Sequence, residues 1–208
     1  MIGRLASLFL VGFTRVLTGA RAVWPAGGPG DAQRFYFANH TSHGDFALLW
    51  SALPSRIRAR TRPVAGSDYW LAGPIRRYVA RHVINAVLVD RNPETRDRDP
   101  IAVMCEAVDA GASLIGFPEG TRNTTEERLL PFKSGIYRLA AARPALEFAP
   151  VWIDNIGRVM PKGEILPLPL LCTAVFGEPL RLVEGESKGA FLDRTRAALL
   201  ALAPPEEP

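Results

Sequence analysis

The sequence predicts an α/β fold: a single domain with a mainly parallel or mixed sheet flanked by helices, preceded by an N-terminal amphipathic helix suited to a membrane interface. Three observations carry this prediction. Short apolar runs rich in β-formers alternate with stretches of helical periodicity along most of the chain, the pattern of a layered α/β sheet. The length, 208 residues, suits one domain. Hydrophobic residues make up 48% of the chain and charged residues 22%, which is enough apolar material for a packed core and too much for disorder.

Residues 1–24 form an N-terminal segment. Arg4 is followed by an uncharged, largely apolar run up to Arg15, too short to cross a bilayer as a helix. Read as a signal peptide it has no clean small-x-small cleavage site, the nearest being Ala20-Arg21-Ala22. Ile2, Leu5, Ala6, Phe9, Phe13, Val16, Leu17 and Ala20 recur at helical spacing, with Arg4, Ser7, Thr14, Arg15 and Thr18 on the opposite side. Leu8 and Leu10 widen the apolar face, and Val11 falls among the polar residues. Such a helix either lies in a membrane interface or packs on the domain's own core.

Pro25–Gln33 is a Gly- and Pro-rich break, after which the domain runs from 34 to 203. Strands are expected at Arg34–Ala38, Arg62–Ala65, Asn85–Val89, Ser113–Phe117, Phe148–Ile153 and Leu171–Phe176. Helices are expected at Phe46–Leu53, across Ser67–His82 with an interruption at Gly73-Pro74, near Ser134–Leu139, and from Ser187 to about Leu202. Asp99 followed by Pro100 reads as an N-cap and first turn, with Ile101, Met104, Cys105 and Val108 as the buried stripe of the helix they open.

The net charge is +4, carried mostly by arginine. A basic surface suits nucleic acid, phosphate-bearing metabolites or an acidic membrane face. The arginines at 56, 58, 60, 62, 76, 77 and 81 either receive anionic lipid headgroups or an acidic carrier protein, or are solvated surface. Cys105 and Cys172 form no C-x-x-C pair and read as reduced core residues, which fits a reducing compartment. No metal-ligand spacing occurs, so no metal is expected.

Three strands end in polar clusters: Asn39–Asp45, Asp90-Arg91 and Pro118–Arg122. In a parallel sheet these ends share one edge, where ligands bind. His40 sits at a strand end, and Asp45 can reach back to one imidazole nitrogen while the other accepts a proton. Ser42–Asp45 also matches a capping box, which leaves Asp45 three roles: helix cap, orienter, or both. His43 is the alternative base, and His82, with no acidic neighbour in sequence, is read as structural. Gly120 allows backbone N–H groups close to a ligand. Arg122 offers a planar fork for phosphate oxygens, or else an internal salt bridge to Glu119. Lys133 adds a cation beside a helix start.

Asn39–Asp45 resembles the first motif of the glycerolipid acyltransferases typified by 1-acylglycerol-3-phosphate acyltransferase. Val87-Leu88-Val89-Asp90-Arg91 is similar to the second motif, Phe117–Arg122 to the third and Ala149-Pro150-Val151 to the fourth; Phe132–Gly135 also fits. The second motif departs from the family's usual glycine-aromatic start, reading Asn85-Ala86 instead, which bears on acceptor specificity. The resemblance implies His40 as general base, Asp45 as its orienter, and Arg91, Glu119, Gly120, Thr121 and Arg122 as holders of a phosphoglycerol head. Lys133 joins that anion site, and Pro150 would shape the pocket wall. It implies acyl transfer from acyl-CoA or acyl-carrier protein to a lysophospholipid such as 1-acylglycerol-3-phosphate, with no cofactor and no nucleic-acid partner. Peripheral or monotopic attachment at the cytoplasmic face of a membrane is expected. Another lysophospholipid or a hydroxylated lipid amide is the alternative acceptor; a thioesterase and a non-catalytic lipid binder are the alternative classes.

Overall fold

Arg34–Ala38 (β2) alternates its side chains between two apolar layers, and the architecture follows from that alternation. In the computed structural model, which describes every residue except 1, 26–27, 43, 95, 155–171 and 206–208, Phe35 and Phe37 point into one core and Tyr36 and Ala38 into another. Strands line up on both sides of β2. Ser113–Gly116 (β5), Thr61–Gly66 (β3) and Val87–Val89 (β4) follow in that order on one side, and Glu147–Asp154 (β6), Thr173–Phe176 (β7) and Arg21–Val23 (β1) on the other. The five strands from β6 to β4 are mutually parallel. β7 runs antiparallel to β6, and β1 runs parallel to β7, so the sheet is mixed.

The first core is closed by Pro100–Asp109 (α6), Gly135–Ala142 (α7) and Lys188–Leu200 (α8). The Asp99 side chain caps α6 by accepting from Ile101 N at 3.3 Å, with Pro100 at the first helical position. Ile101, Met104, Cys105 and Val108 are buried as their spacing predicts. The helix ends in a Schellman turn: Gly111 takes φ +84°, its N–H donates to Val108 O, and Ala112 N donates to Ala107 O. Ser187 caps α8 by accepting from Ala190 N. The second core is closed by Ile2–Thr18 (α1), Asp45–Ala52 (α2) and Ser55–Arg58 (α3).

Four departures from expectation have local causes. The strand expected at Asn85–Val89 begins at Val87, because Asn85 takes a left-handed φ of +48° and breaks the ladder. The stretch 67–82 breaks at Gly73-Pro74 as expected, into Ser67–Trp70 (α4) and Pro74–Tyr78 (α5), but after Tyr78 it continues as a π-helical turn, Val79–Val83. Arg21–Val23, expected within the N-terminal segment, pairs with β7 at the sheet edge. The helix α1 packs on the domain with its polar side, not its apolar stripe. Thr14 and Thr18 are buried, and Arg15 donates to Ser51 O at the end of α2. Val11, out of place among the polar residues in sequence, is the apolar side chain that this inward face buries. Leu5, Leu8, Phe9, Phe13 and Val16 point outward, between 54% and 87% exposed. No described helix is long and apolar enough to cross a membrane.

Beyond the last β2–β6 backbone pair, the Asn39 side chain continues the ladder. Its Nδ2 donates to Ile153 O at 2.9 Å, and Ile153 N donates to its Oδ1 at 2.7 Å, both buried. Asn39→Ala would leave two backbone groups of β6 unsatisfied, and urea unfolding should record a loss of about 2–4 kcal/mol.

Candidate active site

The segment between β2 and α2 is built around one carboxylate oxygen. Asp45, fully buried at the first position of α2, uses Oδ2 to accept from His40 Nδ1 at 2.8 Å, Thr41 N at 2.7 Å and Ser42 N at 2.9 Å. Its Oδ1 is buried with no partner among the described residues. The capping box forms only in part. Gly44 is the N-cap with no side-chain bond, and the Ser42 hydroxyl accepts from Gly44 N. Asp45 instead ties the preceding loop and the imidazole together. A carboxylate on Nδ1–H leaves Nε2 as the lone-pair nitrogen, and the His40 side chain keeps 23% of its surface open. Phe117 stacks on the ring, with centroids 4.2 Å apart and planes 18° apart, which fixes the plane in which Nε2 lies.

The turn after β5 holds the backbone of His40 from both sides. Glu119 accepts from His40 N at 2.8 Å through Oε1 and from Leu130 N at 2.9 Å through Oε2. Asn123 N donates to His40 O at 2.6 Å. Glu119 is buried. It therefore faces protein backbone on both oxygens, and the internal Glu119–Arg122 salt bridge does not form. Burial raises the Glu119 carboxyl above its ordinary 4.5, and the two backbone N–H groups pull it partly back.

Gly120 makes the turn possible. Its φ is +73°, its N–H donates to Phe117 O, and a Cβ there would stand 3.1 Å from Lys133 Cγ. Lys133 lies over this glycine and donates its backbone N–H to Pro118 O at 2.8 Å. Thr121, Arg122 and Lys133 are exposed. Neither cation meets a carboxylate among the described residues. The structure thus brings His40, Asp45, Glu119, Gly120, Thr121, Arg122 and Lys133 to one edge.

Two predicted site residues have partners outside that edge. Arg91 lies past the end of β4, three strand spacings or roughly 14 Å across the sheet from β2, and is engaged by both oxygens of Asp68 at 2.8 and 3.2 Å. Pro150 is buried inside β6, opposite Phe37. Its carbonyl accepts from Gly177 N at 2.9 Å. Its missing N–H therefore faces the place where the β7 ladder has already ended at Phe176, so the proline costs no bond to β2. His43 lies outside the described residues. A cavity of about 210 Å3 opens near the other end of β2, lined by Trp24, Arg34, Tyr36 and Phe176, away from His40. No described cluster of His, Cys, Asp or Glu could hold a metal ion. Asn39, Phe117 and Asn123 support the site without having been assigned a role in sequence. The Asn123-Thr124-Thr125 turn, with Thr125 N donating to Asn123 Oδ1, was the readable sign of the last.

An imidazole oriented by a buried carboxylate, with its other ring edge open and two cations without carboxylate partners among the described residues nearby, has the arrangement of a general base for a hydroxyl on an anionic molecule. A family model described as Acyltransferase matches residues 29–154, more than half of the chain. A 1-acyl-sn-glycerol-3-phosphate acyltransferase of Cocos nucifera is 27% identical over 187 residues, covering 83% of this chain and 56% of the relative. The chloroplastic 1-acyl-sn-glycerol-3-phosphate acyltransferase BAT2 of Brassica napus is 41% identical over 138 residues, covering 64% of this chain and 36% of the relative. The chain therefore spans little more than half the length of the first and about a third of the second. The crystal structure of the 1-acyl-sn-glycerophosphate (LPA) acyltransferase PlsC from Thermotoga maritima superposes with a TM-score of 0.71 at 20% identity, covering 94% of this chain and 78% of the other, so the fold is shared.

Glu119 allows a test of the site's construction. A carboxyl raised by burial holds its proton in the folded chain to higher pH than in the unfolded chain, so stability falls as pH rises through that window. Glu119→Gln lacks this contribution. In urea titrations taken upward from the ordinary 4.5, the wild type should lose stability relative to Glu119→Gln as pH rises; a difference independent of pH would show that the carboxyl is not perturbed.

Proposed function

The chain belongs to the acyltransferase family, and from that premise we propose that it moves a fatty acyl group from an acyl thioester, acyl-CoA or acyl-carrier protein, to the free hydroxyl of 1-acylglycerol-3-phosphate. The observation that carries this reading is His40, with Nδ1 on Asp45 Oδ2 and an open ring edge beside the Gly120 turn. His40 Nε2 takes the hydroxyl proton as the oxygen attacks the thioester carbonyl. The tetrahedral adduct collapses, the C–S bond breaks, and the imidazolium returns its proton to the departing thiolate. Asp45 stabilises the transient imidazolium. Arg122 and Lys133 bind the acceptor phosphate, with the Arg122 fork suited to two of its oxygens. Glu119 and Phe117 position His40, one through its backbone and the other through its ring.

The outward stripe of α1 supports a seat at a membrane surface. Five large apolar side chains on one helix face form a patch that a bilayer interface covers. Buried thiols at Cys105 and Cys172 suit the cytoplasmic side.

Purified protein given 1-acylglycerol-3-phosphate and either donor should form phosphatidic acid, and His40→Ala should reduce the rate between about a hundredfold and ten-thousandfold. Wild-type product no higher than the His40→Ala background would sink the substrate assignment. A panel of other lysophospholipids, read by mass spectrometry, ranks the acceptors. In vesicle flotation, Phe9→Asp with Phe13→Asp should weaken binding at least about tenfold; unchanged flotation would remove α1 from the interface.

A further inference from the structure

The arginines between 56 and 81 separate into two groups. Arg56 and Arg60 both meet Asp31. Arg58 caps the carbonyl end of α2, donating to Leu53 O at 2.7 Å, and lies over the Trp50 ring. Arg62 donates to Asn85 O at 2.8 Å. These four are used within the domain. Arg76, Arg77 and Arg81 are all exposed, and none meets a carboxylate among the described residues. Arg76 lies 4.3 Å over the Tyr69 ring, and Arg77 donates to Leu71 O.

These three arginines ride on an arm made of α5 and the π-turn after it. The arm rests against the start of α1, where Gly3 lies so close to the His82 carbonyl that a Cβ would collide with it. It carries its own apolar side chains outward: Ile75 is 79% exposed, and Tyr69 and Tyr78 are both more than 40% exposed. Partner chemistry follows from taking arm and helix together. An acidic soluble protein would pair the arginines and leave the α1 stripe in water. A neutral bilayer would cover the stripe and leave the arginines without counter-charges. A bilayer with anionic headgroups satisfies both.

We propose that the arm formed by α5 and the π-turn is a second membrane contact, in which Arg76, Arg77 and Arg81 bind the phosphates of anionic lipids while Ile75 enters the interface beside α1. Arg56 and Arg60, already paired, take no part. This inference rests on the membrane seat proposed for α1, and the test separates the two.

The full chain is floated with vesicles of phosphatidylcholine alone and of phosphatidylcholine with phosphatidylglycerol, at low and physiological salt. Wild type should bind the anionic vesicles more tightly, with the preference shrinking as salt rises. Arg76→Gln/Arg77→Gln/Arg81→Gln should lose the preference, on the order of a hundredfold at low salt, while retaining its binding to neutral vesicles and its circular dichroism. Arg56→Gln/Arg60→Gln should keep the preference. Equal binding of the triple variant and wild type to anionic vesicles would overturn the proposal, as would an equal loss in the Arg56/Arg60 control. A triple variant that keeps its vesicle preference but no longer binds acyl-carrier protein would also overturn it, assigning the arm to a carrier instead. Loss of binding to both vesicle types in Phe9→Asp/Phe13→Asp, with neutral binding retained in the triple variant, shows that the seat and the arm are separate contacts.

Discussion

One buried oxygen, Asp45 Oδ2, organises the edge of the sheet that carries His40. It gathers an imidazole N–H and two consecutive backbone N–H groups at 2.7–2.9 Å. The loop between β2 and α2 can therefore take only a conformation that keeps all three donors converged. A carboxylate in the same place that served only as a helix cap would leave the imidazole free to turn. Here loop shape, ring tautomer and ring direction depend on the same atom, so a change in one is a change in all. Glu119 repeats the device on the other side, joining His40 N to Leu130 N with its two oxygens. His40 is thus held by two buried carboxylates, one acting on the side chain and one on the backbone.

The alternation of β2, the stripe of α6 and the Asp99 and Ser187 caps were readable because each depends on neighbours in sequence. The His40–Asp45 pairing was readable for the same reason, being five residues apart. What sequence spacing could not show is depth. Glu119 and Arg122 belong to one short motif, yet the first is buried against backbone and the second is exposed, because Gly120 turns the chain between them. The family resemblance implies one role for both, as holders of the acceptor head, while their surroundings in the fold differ.

Arg91 and Pro150 illustrate the same limit. Both occupy motif positions, and both end strands or lie within them. Strand order places Arg91 toward the far edge, where Asp68 engages it, and strand direction turns Pro150 toward Gly177 inside the sheet. Topology decides this, and topology is set by long-range pairings that no local pattern encodes. The polarity of α1 was legible, but which side faced inward was not. Amphipathicity alone says that the two sides differ; the Ser51 carbonyl waiting for Arg15 decides which is taken.

The inverted seating of α1 has a consequence for the protein in water. Its inward bonds are complete before any lipid arrives: Arg15 is on Ser51 O, and the Thr18 hydroxyl is on Thr14 O. The bilayer contact proposed for α1 would therefore need no refolding and no helix rotation, only the docking of a ready surface. Among the described residues, Leu5, Phe9 and Phe13 each stay more than half exposed, so the face proposed to meet a bilayer is already assembled, and the same stripe is what a detergent or a second copy would meet first.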